Sequence, residues 1–414
     1  MKETTIATST GPGDALSDYC GLIFSSLARS DQRKWAEVYV RGLLTTPGRK
    51  TLAAISELVL GRRAIQPLQQ FVNQSTWDHD AVRGSLGALA ASAIRPRAWA
   101  IEETVFAKNG EHSVGVARQY VPSAGRTVNC QLALVLALVG DDTDVPVDWR
   151  LMLPEGWDRD PARRRKAHLP EDVLHRPRGQ HILDLVDEVI EGWHLPPAPL
   201  LIDGTAVADV EPLLAGLESR GLGYIIEVAP GTVVRHATGP GSSGGGRSLT
   251  ASQCVQNAAH RTERVTIAWN EGADNWSRQS QFVTVPVPGL GIGVGPGMGG
   301  SGHLPARTAV QRLRLMMAEW PAGRTRARNY WVTNLSGRSP AQLVALAKLR
   351  SRTRAMVGGL HTDVGLSDFE GRSFRGWHHH VTLVGAAAGF QSVALRTDIA
   401  ALSSTARPPI LPAA

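Results

Sequence analysis

The order in which the chain changes its hydrophobic rhythm restricts its fold more than any other feature. Up to about Ile94 apolar residues recur at helical spacing, and at Arg95-Pro96 that pattern gives way to strand-like runs. AWAIEETVFA, HSVGVARQYV and TVNCQLALVLALVG follow one another, joined by KNGE and PSAGR, which have the composition of hairpin turns. VPVDWRLMLP is a fourth strand before the charged run RDPARRRKAH. Then come the helix HILDLVDEVIEGW, the short buried strand PLLID, the helix EPLLAGLESRG and the strand YIIEVAP. Antiparallel strands followed by alternating helix and parallel strand predict an α/β fold built on a mixed sheet.

The segment before the sheet reads as a small all-helical domain. Ser30 is the expected N-cap of DQRKWAEVYVRGLL, which carries Trp35, Val38, Tyr39 and Leu43 on one face and stops at Pro47-Gly48. TLAAISELVLG and AVRGSLGALAASAI continue the helical pattern, with the polar turn NQSTWDHD between them, and Arg33, Lys34, Arg41, Arg49 and Lys50 are expected outside. Between about 230 and 340 the Gly-rich stretches TGPGSSGGGRS and PVPGLGIGVGPGMGGSGHLP bracket the strand-like RVTIAWNEG and SQFVTVPV. This is the composition of an inserted β subdomain with long surface loops. GLGIGVG lacks the strand-turn-helix surroundings of a dinucleotide site. ARNYWVTNL reads as a returning strand, and from Ala341 a basic amphipathic helix follows. The expected organisation is a tail at 1–18, a helical DNA-binding domain at 19–95, the sheet domain at 96–230, the insert at 231–335, closing helices at 336–395 and a second tail at 396–414.

Charge points to the partner. The chain has 44 Lys+Arg against 37 Asp+Glu, a net charge of +7, and its basic residues cluster at Arg163 to Lys166, Arg324 to Arg328 and Lys348 to Arg354. Clustered excess cation favours a polyanion, and nucleic acid is the expected one. Cys20, Cys130 and Cys254 stand far apart with no CxxC pair, which excludes a readable disulfide framework or zinc ribbon. With no signal-like N-terminus and no apolar run of about 18 residues, the expectation is a cytoplasmic, nucleoid-associated protein with no membrane segment.

Two stretches carry a resemblance to a known family. WAIEETVFAKNGEHSVGVARQY at Trp99 to Tyr120 resembles the WxIDDTxFxKxGxHSVGVxRQY of bacterial insertion-sequence transposases of the DDE superfamily, and GLSDFEGRSFRGWHHHVTL at Gly365 to Leu383 resembles their C-terminal signature. The resemblance runs from about Phe24 to Phe390. It implies an RNase H-like fold with the N-terminal helical domain and the inserted β subdomain, and phosphodiester chemistry that uses Mg (or Mn) held by three carboxylates. By the same resemblance Glu103 and Asp203 stand at the first two catalytic, metal-binding positions. The third, on the late helix, is occupied by Arg354, and His361 stands where the family has Lys. A guanidinium cannot ligate a cation; Glu370 is the fallback acid.

The function implied is that of a transposase-family protein that binds double-stranded DNA, as a homodimer on DNA, and is impaired in strand cleavage, with no metal cofactor if the site is dead. The alternatives are a domesticated, non-catalytic regulator and a transposase fold reused for another enzymatic role. The DNA-binding candidates are Arg324, Arg326, Arg328, Lys348, Arg350, Arg352, Arg372 and Arg375, with Trp269 as a residue to stack on a flipped base. His378, His379 and His380 are consecutive on a helix, do not face one another, and make a poor metal chelate.

Overall fold

A computed structural model describes residues 15–235, 248–259, 262–271, 276–287 and 314–393. The expected C-terminal tail and nearly all of both Gly-rich stretches, including GLGIGVG, lie outside these residues. The chain divides into two compact units, residues 1–198 with 353–414 and residues 199–352. None of the described helices is long and apolar enough to cross a membrane.

The first unit begins with five helices: α1 (Ala15–Ile23), α2 (Ser30–Thr45), α3 (Leu52–Leu60), α4 (Ile65–Asn73) and α5 (His79–Ile94). α1 starts inside the segment expected to be a tail, because Leu16, Tyr19, Cys20 and Ile23 form a buried face at helical spacing. α2 includes Ser30, and its N-cap is Arg29, which makes no side-chain capping bond. Thr51 and Asp78 do cap α3 and α5, accepting from the amides of Ala54 and Asp80. Lys50, expected outside, is buried, and its backbone N–H donates to Asp368 at 2.7 Å.

The strands of this unit are β1 (Ala98–Ala107), β2 (Ala117–Val121), β3 (Arg126–Val139) and β4 (Asp144–Met152), with β1, β2 and β4 all pairing antiparallel with β3. β3 is buried continuously from Cys130 to Val139, which explains its unbroken apolar run. Helices α6 (Pro161–Lys166) and α7 (Arg178–Asp187) follow. The last helix of the unit, α11 (Phe374–Val393), is buried around almost its whole circumference against β4, α2, α4 and α5. It reads as apolar and small-residue on every side because it has no solvent face.

The second unit holds β5 (Leu200–Asp203), α8 (Glu211–Ser219), β6 (Tyr224–Val228), the short pair β7 (Val233–Arg235) and β8 (Ser248–Thr250), and α9 (Ala251–Ala259). β9 (Val265–Glu271), β10 (Trp276–Val287), β11 (Arg314–Pro321) and β12 (Asn329–Thr333) complete it. Its sheet runs β5-β6-β12-β11-β10-β9, with β5 and β6 parallel and the rest antiparallel. β11 is not among the strands expected from the sequence, although its apolar run Leu315 to Ala318 is consistent with a buried strand. Buried Arg314 ties this strand to α8 through Glu211 at 2.7 Å and Glu218 at 2.7 Å. The division between the units falls within α10 (Pro340–Asp363). The helical region followed by a mixed sheet of parallel and antiparallel strands is consistent with the RNase H-like fold.

Candidate functional site

Strand alternation sorts the acids of β1. Glu102, Thr104 and Phe106 are buried on one face, and Glu103 and Val105 lie on the other. The face of Glu102 is the one that meets the late helix. Arg354 Nε lies 3.4 Å from Glu102 Oε2, Thr104 Oγ1 is 2.8 Å from His361 Nε2, and the Phe106 and His361 rings meet edge to face at 5.7 Å. Glu103 is paired instead with Arg178, the first residue of α7. Arg354 therefore stands against Glu102, and Glu103, the member of the pair expected at the first catalytic position, lies on the other face of β1. A one-residue step along a strand moves a side chain to the opposite face, so resemblance at an acidic pair does not choose between its members.

In the second unit Asp203 ends β5, and the parallel register sets it beside Glu227 of β6. Arg350 of α10 joins them. Its Nη2 is 2.6 Å from Asp203 Oδ2, its Nη1 donates to Glu227 Oε2, and its side chain is 6% exposed. Asp203 Oδ1 accepts from the Thr205 amide at 3.0 Å, and Asn329 Nδ2 approaches Glu227 Oε1 at 3.4 Å. Gly204 is fixed by space, since a Cβ there would sit 2.8 Å from the Glu227 carbonyl oxygen. Sequence reasoning missed Glu227. The signal available was an acid inside the otherwise apolar strand YIIEV, where a polar side chain calls for a polar partner.

Arg354 is more than half exposed, one helical turn beyond Arg350. Glu370 lies between α10 and α11, exposed and paired with Arg49 at 2.9 Å. Among the described residues no three His, Cys, Asp or Glu side chains come together as metal ligands.

The basic candidates separate by exposure. Arg324, Arg326 and Arg328 stand out from the turn between β11 and β12, and Arg372 and Arg375 lie before and at the start of α11. Arg352 is half-buried and Arg350 buried. Lys348 is held inside the second unit, 2.7 Å from Glu319 Oε2, with its ammonium 4.2 Å from the centre of the Trp269 ring and 5.4 Å from that of Trp331. Trp269 packs edge to face on Phe282 at 5.8 Å. Arg163 is likewise engaged, donating to the carbonyls of Glu111 at 2.7 Å and Val116 at 2.9 Å and lying over Trp157.

The three consecutive histidines are core residues. His378 Nδ1 is 3.0 Å from Arg83 Nη2, and His379 sets its two nitrogens 2.8 Å from the Val72 carbonyl and 3.0 Å from that of Trp77. His380 Nδ1 meets the Tyr39 hydroxyl at 3.0 Å and Nε2 the Leu366 carbonyl at 3.2 Å. Burial holds the imidazoles of His379 and His380 down to about 4, although their carbonyl partners favour the charged ring. Each ring fastens α11 to a different piece of chain, because successive residues on a helix point about 100° apart.

A family model described as DDE superfamily endonuclease matches residues 23–279. No curated protein matches the chain.

Proposed function

We propose that this chain, which belongs to the DDE superfamily of endonucleases, binds double-stranded DNA without cutting it. Endonucleases of this superfamily generally use divalent metal ions, and in this chain arginine side chains already hold acids that such ions could use. The observation that carries the reading is the pairing of acids with arginine: Arg350 spans Asp203 and Glu227, and Arg354 lies against Glu102. An arginine fork satisfies a carboxylate through two N–H bonds and adds a positive charge, which opposes a second cation at the same oxygens. Insertion-sequence ancestry and a homodimer on DNA are part of the same proposal, and sedimentation with and without duplex tests the second.

In magnesium or manganese the protein is expected neither to nick nor to join DNA carrying its own gene's flanking ends. Asp203→Ala is the control that separates residual activity from a contaminating nuclease. Cutting by the wild type but not by Asp203→Ala sinks the proposal, and Glu370 is then the first acid to mutate.

Binding should be strongly salt-dependent, because lysines and arginines displace condensed counterions from phosphates. The set Arg324, Arg326 and Arg328, on the turn between β11 and β12, supports this. Replacing all three by alanine should flatten the slope of log K against log salt by up to about 3, at roughly 0.9 for each phosphate no longer neutralised. Lys348→Ala should leave that slope unchanged, since its ammonium is taken by Glu319 and Trp269. Titration of labelled duplex at several salt concentrations measures both, and equal slopes in wild type and triple variant would remove this surface from the interface.

A further inference from the structure

We infer that Arg350 is a built-in counter-cation for an acid pair, Asp203 and Glu227, so that this pair is held in the folded chain with no metal ion. The inference rests on the reading above that the acids do not serve metal-dependent cleavage, and it names the side chain that has taken the ion's place. It begins from register. β5 and β6 are parallel neighbours, and Asp203 stands directly beside Glu227. Neighbouring strands lie about 4.8 Å apart, and side chains at paired positions leave the same face. Two carboxylates so placed repel one another unless a cation lies between them.

Donors of two kinds meet the pair. The outer oxygens face neutral donors: Asp203 Oδ1 takes the Thr205 amide and hydroxyl, and Glu227 Oε1 has the Asn329 amide. The inner oxygens, Asp203 Oδ2 and Glu227 Oε2, both receive Arg350. Its guanidinium is planar and presents separate nitrogens to the two acids, Nη2 to Asp203 and Nη1 to Glu227. Its side chain is 6% exposed, whereas those of Asp203 and Glu227 are 28% and 21% exposed. The acids are thus open to solvent where their cation is not. Two oxygen ligands that share a cation, with solvent beside them, are the ligand chemistry a hard divalent ion completes with water. Arg350 delivers the positive charge from α10 with no loss to dilution or chelation.

The test removes the tethered cation and asks whether a free one replaces it. Manganese binding is followed by electron paramagnetic resonance, and thermal melting is followed with and without excess Mn2+. Wild type should melt at the same temperature in both conditions, and its manganese uptake should not change in Asp203→Asn. Arg350→Ala should melt lower, recover in Mn2+, and bind the ion at least about ten-fold more tightly than wild type, as expected when two carboxylates lose their competitor. Asp203→Asn placed on Arg350→Ala should abolish both gains. Manganese-indifferent Arg350→Ala overturns the inference. So does wild type that binds Mn2+ in a manner lost in Asp203→Asn, an arm that stands even if Arg350→Ala does not fold. DNA cutting by the wild type would defeat the cleavage-dead reading; an Arg350→Ala protein that ignores manganese defeats only this one.

Discussion

Arg83→Ala is expected to destabilise the first unit by about 3–5 kcal/mol, the scale on which breaking a buried ion pair leaves one charge uncompensated. Arg83 and Asp148 are both fully buried, 2.9 Å apart. Every arm of the guanidinium is used: Nε donates to Thr382 Oγ1 at 2.8 Å, Nη1 to Asp148 Oδ1 and to the Trp149 carbonyl at 3.1 Å, and Nη2 faces His378 Nδ1. One side chain from α5 therefore fastens β4 and α11 together, and its loss leaves the buried Asp148 carboxylate with only the Trp149 amide at 2.7 Å and the more distant Arg150, 3.9 Å from Oδ2, among the contacts described. Against a total stability of roughly 5–15 kcal/mol such a loss is a large fraction of the whole. Urea unfolding measures it. Replacing both partners, Arg83→Met with Asp148→Leu, should recover most of the loss, because the cost comes from the unpaired charge more than from the missing bond. If the double variant is no more stable than Arg83→Ala, the hydrogen bonds to Thr382 and Trp149 are what matters.

Acidification should destabilise the same region well above the pH at which carboxylates titrate. His181, His379 and His380 are held down to about 4 and His79 to about 2, in each case chiefly by burial, with Arg83 and Arg150 opposing a further charge near His79. Above the ordinary histidine value of about 6.5 both folded and unfolded chains carry neutral rings, so these groups add no pH dependence. As pH falls below that value the unfolded chain takes up protons that the folded chain refuses until about 4. Stability then declines by about 1.4 kcal/mol per pH unit for each histidine, or roughly 2 kcal/mol each at pH 5. Asp80 and Glu188, whose carboxyls burial pushes up, work in the opposite direction and blunt the loss. Urea melts at pH 7.5 and pH 5 test the sign, and His380→Gln should flatten the slope by one proton. If His380→Gln left the slope unchanged, the His380 ring would be protonating as readily in the folded chain as in the unfolded one.

These two predictions concern residues whose importance the sequence concealed. Helical spacing argues against a metal site for the three histidines but does not show what each ring meets, and nothing local in AVRGSLGALA marks its arginine as buried. Both assignments depend on what packs against them. Arg83 meets Asp148 from 65 residues away and Thr382 from 299, separations over which no local period carries information. Lys348 shows the same limit: its place in a basic cluster suggested phosphate, and Glu319 and three aromatic rings hold it instead.

By itself the sequence determined the order of the main helices and strands from α2 to α10, though not α4, α6, the stretch from β7 to α9, or β11, and it placed Asp203 at the end of a buried strand. It could do so because helix and strand periods are local properties of a chain, legible over ten or fifteen residues. Only the tertiary structure decided which glutamate of β1 meets Arg354, that Glu227 accompanies Asp203, and that Arg350 closes the pair. Those outcomes depend on strand register and on how a helix is rotated about its axis, and an ion pair has no signature until both its partners have been brought within a few ångströms.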